Sequence, residues 1–230
     1  MNELILSSAT FGVVLSLIGY GLGLALKRRF QKGIFNPLLI AIAFVILVLL
    51  AFRIDYDSYN ASAKYLSYLL TPATVSLAIP LYAQLEKLRQ NLFAILCSLA
   101  AGVLTSLASV LALSALFRLS HQEYVTLLPK SITTAIGMGV SEELGGHVSI
   151  TVAVIILTGI LGNVSGDLVC RLFRITEPIA KGLGIGAASH AIGTARAMEW
   201  GELEGAMSSL AIVVSGLLTV IGASIFAQLW

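Results

Sequence analysis

The chain has 230 residues, of which 57% are hydrophobic and only 11% charged, and its formal net charge is +2. An ordinary soluble domain carries about 25% charged residues, so this composition excludes a water-soluble globule and defines an integral membrane protein. The few basic residues sit at the ends of apolar runs, where they orient the chain in a lipid bilayer, and no nucleic-acid partner is expected.

Apolar runs recur at residues 5–25, 35–52, 65–82, 92–117, 124–141, 148–170, 182–198 and 206–229, and most approach the ~20 residues that cross hydrocarbon as a helix. Strand alternation is absent, which argues against a β-barrel. Short connections without a Ser/Pro-rich linker or charged tail predict a single domain over 1–230. Glu3 stands where a signal peptide would be basic, and Lys27-Arg28-Arg29 follows the first run. This pattern predicts an uncleaved first helix with its N-terminus outside. Cys97 and Cys170 lie in or at the end of apolar runs without Cys-x-x-Cys spacing and read as packing residues.

Positive-inside sorting places 27–32, 87–89 and 171–181 in the cytoplasm, and 53–64, 142–147 and 199–204 outside. The segment 124–141 must then enter and return from the outside. The expectation is about seven crossings plus one re-entrant or broken segment, N-terminus out and C-terminus in. Sliding the chain against itself at an offset of 118 sets Thr71-Pro72-Ala73 on Ser189-His190-Ala191 and Leu85-Glu86 on Leu203-Glu204. The two halves, 5–117 and 123–229, carry opposite charge bias, as in an inverted-topology repeat.

Three runs carry backbone interruptions: Pro72 and Pro80 in the third, Pro129, Gly137 and Gly139 in the fifth, Gly182, Gly184, Gly186 and Gly193 in the seventh. Proline removes a helix donor and glycine permits unwinding. In lipid, freed backbone is tolerated only where it is buried in protein or lines a wet cavity. Taken singly, each break also reads as a kink or a packing contact.

Polar residues cluster beside these breaks. Half-helix N-termini suit a carboxylate. Arg196 is placed to clamp it, and Lys130 to add a second positive charge. Thr74, Ser76, Ser131, Thr133, Thr134, Ser189 and Thr194 supply hydroxyls for the rest of a small acid, although such hydroxyls also satisfy helix backbone without touching a ligand. Arg196 has the alternatives of snorkelling or pairing with Glu199, and Lys130 that of an end-of-segment anchor. His190 reads either as a titrating group in proton-coupled transport or as a structural histidine. His121 and His147 fall in connections and carry no role. Gly182-x-Gly184-x-Gly186 follows no strand and is discounted as a dinucleotide loop. No Walker motif, metal cluster or catalytic triad stands out, so neither a cofactor nor enzyme activity is expected.

The motifs Leu70-Thr71-Pro72-Ala73-Thr74-Val75-Ser76-Leu77-Ala78-Ile79-Pro80-Leu81-Tyr82, Leu128-Pro129-Lys130-Ser131-Ile132-Thr133-Thr134 and Ser189-His190-Ala191-Ile192-Gly193-Thr194, with Glu204-Gly205-Ala206-Met207-Ser208-Ser209-Leu210, resemble the LrgB/CidB family over about residues 35–229. Ala135 departs from the pattern, since many relatives have proline after the paired threonines. The resemblance implies a fold like that of the cation/proton antiporter and bile-acid-transporter group, in which broken helices cross at the site. It implies two functions. One is antiholin-like or holin-like control of murein hydrolase activity and lysis, with a small LrgA/CidA-like membrane partner. The other is carriage of small monocarboxylates, as in bacterial pyruvate systems and the plastidal glycolate/glycerate transporter. The matched breaks with buried cations favour a carrier of pyruvate, lactate, glycolate or glycerate, coupled to protons or another ion. Na⁺/H⁺ antiport would call for an intramembrane acid, and only Asp167 is near. The expected setting is a bacterial plasma membrane rather than an organellar inner envelope, with the chain as a homo-oligomer.

Overall fold

Every regular element among the described residues is helical, as a solvent that satisfies no backbone group requires. The computed structural model describes residues 10–30, 35–76 and 78–230 in two units, Met1–Ser76 and Leu77–Trp230. Residues 31 and 32 of the first basic connection lie outside the described residues, as do the side chains of Thr74 and Pro80.

The first unit holds α1 (Phe11–Phe30), α2 (Pro37–Phe52), α3 (Tyr56–Ala63), a 3-10 stretch (Lys64–Leu69) and α4 (Leu70–Ser76). Asn36 starts α2 by accepting from the N–H groups of Leu38 and Leu39 at 2.8 and 3.3 Å, directly before Pro37, whose missing N–H costs nothing there. α1 and α2 run antiparallel, with Gly19 against Ala41 and Gly23 against the backbone of Pro37. Ser62 of α3 accepts the Gly12 N–H at 2.7 Å, a donor left free at the start of α1.

The second unit holds α5 (Ala78–Ala83), α6 (Leu85–Gln90), α7 (Leu92–Phe117), α8 (His121–Leu127), α9 (Thr134–Glu143), α10 (Val148–Leu172), α11 (Pro178–Trp200) and α12 (Glu202–Phe226). The run 65–82 is therefore not one α-helix throughout: it opens as the 3-10 stretch and turns α-helical at Leu70, with Pro72 in the first turn, where a proline loses no intrahelical bond.

With α1, the helices α7, α10 and α12 are long and apolar enough to cross a membrane. α7 and α12 run parallel: Ile95 and Leu99 cluster with Ala206, Met207 and Ala211, while Val103, Leu107 and Val110 cluster with Ala223 and Ala227. α10 runs opposite to both. Its first turn meets α8, where Thr151 Oγ1 donates to the Thr126 carbonyl at 2.9 Å. Its last turn meets the start of α12, with Arg171 and Glu204 lining one pocket.

The run 182–198 does not cross, contrary to its length. Ile185 and Trp200 would be about 22 Å apart along a straight helix, yet a methyl group on Gly166 would lie 3.0 Å from one and 3.2 Å from the other. Likewise Ser208 Oγ is reached by Thr194 Oγ1 at 2.8 Å, and a methyl group on Gly186 would lie 2.7 Å from the same atom. α11 therefore folds back at His190 into two arms. The connections 171–181 and 199–204, expected on opposite sides, lie at the same end of α10.

Candidate functional site

α8 and α9 form one hairpin, entering from the end where α7 stops. Ser120 and Glu123 cap its entry reciprocally, the Glu123 carboxylate accepting the Ser120 N–H at 2.7 Å and Ser120 Oγ accepting the Glu123 N–H at 3.3 Å. Pro129 follows Leu128, the C-cap of α8, and a turn closed by Ile132 N–H to the Pro129 carbonyl at 3.3 Å carries the chain to Thr133, the N-cap of α9. The tip reaches the middle of α7. There Lys130 Nζ donates to Ser106 Oγ and Ser131 Oγ, each at 3.0 Å.

α11 forms the second hairpin, entering from the opposite end with its tip at Ser189-His190. His190 holds φ 43° and ψ −138°, a conformation that side chains rarely adopt. Its surroundings fix it there. Its Nε2 lies 3.0 Å from the Ile155 carbonyl, and its own carbonyl accepts from Thr194 Oγ1 at 3.0 Å. The ring packs into the notch left by Gly159, where a methyl group would lie 2.8 Å from Cε1. A carbonyl only accepts, so Nε2 carries the proton. Asn163 Nδ2 donates to the Ile192 carbonyl at 2.9 Å, satisfying an acceptor near the break.

Both tips border one cavity of about 880 Å³. Its polar wall includes Ser98, Ser106 and Ser109 from α7, Lys130 and Ser131 from the first tip and Ser189 from the second. Asn91 and Glu177 line its other end, at the start of α7. Two features set this wall apart. Lys130 is held by hydroxyls alone and, among the described residues, has no carboxylate on it. Ser189 is 1% exposed, yet its Oγ has no hydrogen-bond partner, a cost of about 1–3 kcal/mol that native proteins rarely leave standing. Ser189 fits only because Gly162 faces it; a Cβ there would collide with the hydroxyl.

Of the residues expected at the site, Lys130, Ser131 and Ser189 are brought together. Gly193 begins the returning arm of α11, packed on the Ile185 carbonyl, and Thr194 is buried behind the tip on Ser208. Thr133 and Thr134 begin α9 and lie outside the cavity wall. Ser76, exposed in the first unit, donates to its own helix at the Ala73 carbonyl at 2.7 Å. Arg196 also lies outside that wall. It pairs with Asp167 and Glu199, while Trp200 Nε1 donates to Asp167 at 2.8 Å. The lone acid weighed for cation exchange is thus tied to a guanidinium and an indole. Ser98, Ser106, Ser109 and Thr158 went unrecognised in the sequence; Ser98, Gly102, Thr105, Ser106 and Ser109 recur with helical spacing along one face of α7, a polar stripe in an apolar helix.

Two helical hairpins meeting from opposite ends over one cavity, within an apolar helical unit, define a helical membrane protein. The LrgB-like family model matches residues 16–229, and the chain belongs to that family. It is 38% identical over 213 residues, 92% of this chain and 92% of each relative, to proteins named Antiholin-like protein LrgB from Bacillus mycoides (strain KBAB4), Bacillus cereus (strain B4264) and Bacillus anthracis (strain CDC 684 / NRRL 3495). No solved structure matches the chain.

Proposed function

We propose that this protein is a secondary carrier of small monocarboxylates, taking acids such as pyruvate, lactate, glycolate or glycerate, with Lys130 as the anion receptor. The observation that carries this is the Lys130 ammonium, bonded to Ser106 and Ser131 at mid-depth with, among the described residues, no carboxylate on it. An intramembrane charge is costly unless compensated, and a substrate anion compensates it. Broken helices whose tips converge near the bilayer midplane are the usual housing for such a site. The cavity lining reaches from these tips to Asn91 and Glu177, giving access from that end.

That end collects Lys87, Arg89, Arg171, Arg174 and Lys181, whereas the far end has Arg118. The basic end is then cytoplasmic, and because α11 returns, the C-terminus lies outside rather than inside. Within the second unit a shorter repeat supports the same plan. At an offset of 56, Ala135-Ile136-Gly137 falls on Ala191-Ile192-Gly193, Glu143 on Glu199, and Leu92, the first residue of α7, on Val148, the first of α10. Each repeat is a crossing helix followed by a hairpin, and the two crossing helices are antiparallel.

The name of the relatives, Antiholin-like protein LrgB, favours a second reading: an antiholin-like or holin-like membrane protein that modulates murein hydrolase activity and cell lysis, with a pore or an LrgA-like partner as its means. Proteoliposomes separate the two. A carrier gives saturable uptake of labelled pyruvate or glycolate that is accelerated by internal unlabelled acid; a pore gives conductance and leakage of neutral sugars.

A further inference from the structure

A second cavity, of about 520 Å³, lies where α10 ends and the α11 hairpin begins, and shares no wall residue with the central one. Its wall includes Arg171, Arg174, Thr176, Lys181 and Trp200. The turn that gathers them is tight. Arg174 adopts φ 53°, its N–H bonded to the Arg171 carbonyl at 3.2 Å, and the Ile175 N–H reaches back to the Cys170 carbonyl at 2.8 Å. This reversal brings the last turn of α10 against the first arm of α11, so that Arg171 and Arg174 face Lys181 across one space.

Two acids, Asp167 and Glu204, share the wall with these three cations. Asp167 is already paired with Arg196 and bonded by Trp200, and among the described residues neither Arg171, Arg174 nor Lys181 makes an ion pair, so the cations outnumber the carboxylates left to offset them. Leu172 and Phe173 beside them are 71% and 69% exposed, an apolar edge where acyl chains would lie. We propose that this cavity binds a phosphate group at the membrane surface, supplied by the headgroup of an anionic phospholipid. Two guanidiniums offer the planar fork that phosphate accepts, the lysine adds a point charge, and Thr176 adds a hydroxyl. Basic pockets between membrane helices at the cytoplasmic side suit such headgroups. A bound phosphate would bridge α10 to Lys181 on the hairpin, beside the pair that ties the other arm to Asp167, and so hold the hairpin's base.

The test uses purified protein in neutral detergent. Phosphatidylglycerol should raise its thermal midpoint while phosphatidylcholine with the same chains does not, and Arg174→Asn/Lys181→Gln should lose at least half of that rise. Asn tolerates the left-handed backbone at 174. A second readout needs no change in the cavity. Of the two tryptophans, Trp200 lines it and Trp230 bonds Leu119 at the opposite end, so in Trp230→Phe protein brominated phosphatidylglycerol should quench fluorescence more than brominated phosphatidylcholine. An equal rise with glycerol 3-phosphate would support the phosphate site and assign it to a soluble ester rather than to lipid. Equal effects of both lipids, or an undiminished rise in the double variant, would overturn the proposal. Either outcome leaves the carrier assignment untouched.

Discussion

Lys130 and Ser189 are both retained at a cost to stability. Removing the Lys130 charge should therefore harm function far more than folding: Lys130→Ala is expected to lower substrate uptake at least tenfold, and Lys130→Arg should recover it only in part, because a planar fork does not fit a cradle made for a compact ammonium. Ser189→Ala removes an unpaired buried hydroxyl. Its thermal midpoint should be unchanged or higher, while its half-saturating substrate concentration rises; a lower midpoint with unchanged uptake would make Ser189 a packing residue. Arg196 is different. Arg196→Ala leaves Asp167 without its guanidinium at a site about one-third exposed, so a modest loss of about 1 kcal/mol is expected, and Arg196→Gln/Asp167→Asn should lose less than the sum of the single changes. The convergence of Lys130, Ser131 and Ser189 on one cavity was legible from their place beside backbone breaks. The pairing of Arg196 with Asp167 was not, since no local pattern joins residues on two different helices.

The hairpins depend on small residues where two backbones meet. Gly162→Ala puts a methyl group onto Ser189, so it should lower the thermal midpoint by an amount equivalent to about 1–3 kcal/mol and depress uptake. Combining it with Ser189→Gly should restore much of the stability but not the transport. The first hairpin was expected from charge sorting, which required 124–141 to enter and return, and Pro129 stands at the turn between α8 and α9. The second was misread as a crossing: its 23 residues match a bilayer span, and nothing in the residue type of His190 signals the φ it holds. Two tertiary contacts, the Ile155 carbonyl and the Gly159 notch, hold that conformation together with the local bond from the Thr194 hydroxyl. The recurrence of Ala-Ile-Gly at an offset of 56 was the signal present in the sequence. It was hidden because apolar helices align at many offsets.

Composition alone established a helical membrane protein, since lipid leaves few other solutions for a chain this apolar. Sidedness was less accessible, because one misread hairpin inverts everything after it. Single cysteines near Arg174 and Glu202 should both be labelled from the cytoplasm, and one near the C-terminus only from outside; opposite labelling of Arg174 and Glu202 would restore the crossing at 182–198. If the Lys130 cavity carries an organic anion, counterflow in proteoliposomes reveals it. Vesicles preloaded with unlabelled pyruvate or glycolate should accumulate the labelled acid transiently and saturably with wild-type protein, and at least tenfold more slowly with Lys130→Ala protein that inserts and melts normally. Equal rates for the two proteins, or leakage of neutral sugar on the scale of the acid flux, would contradict the account.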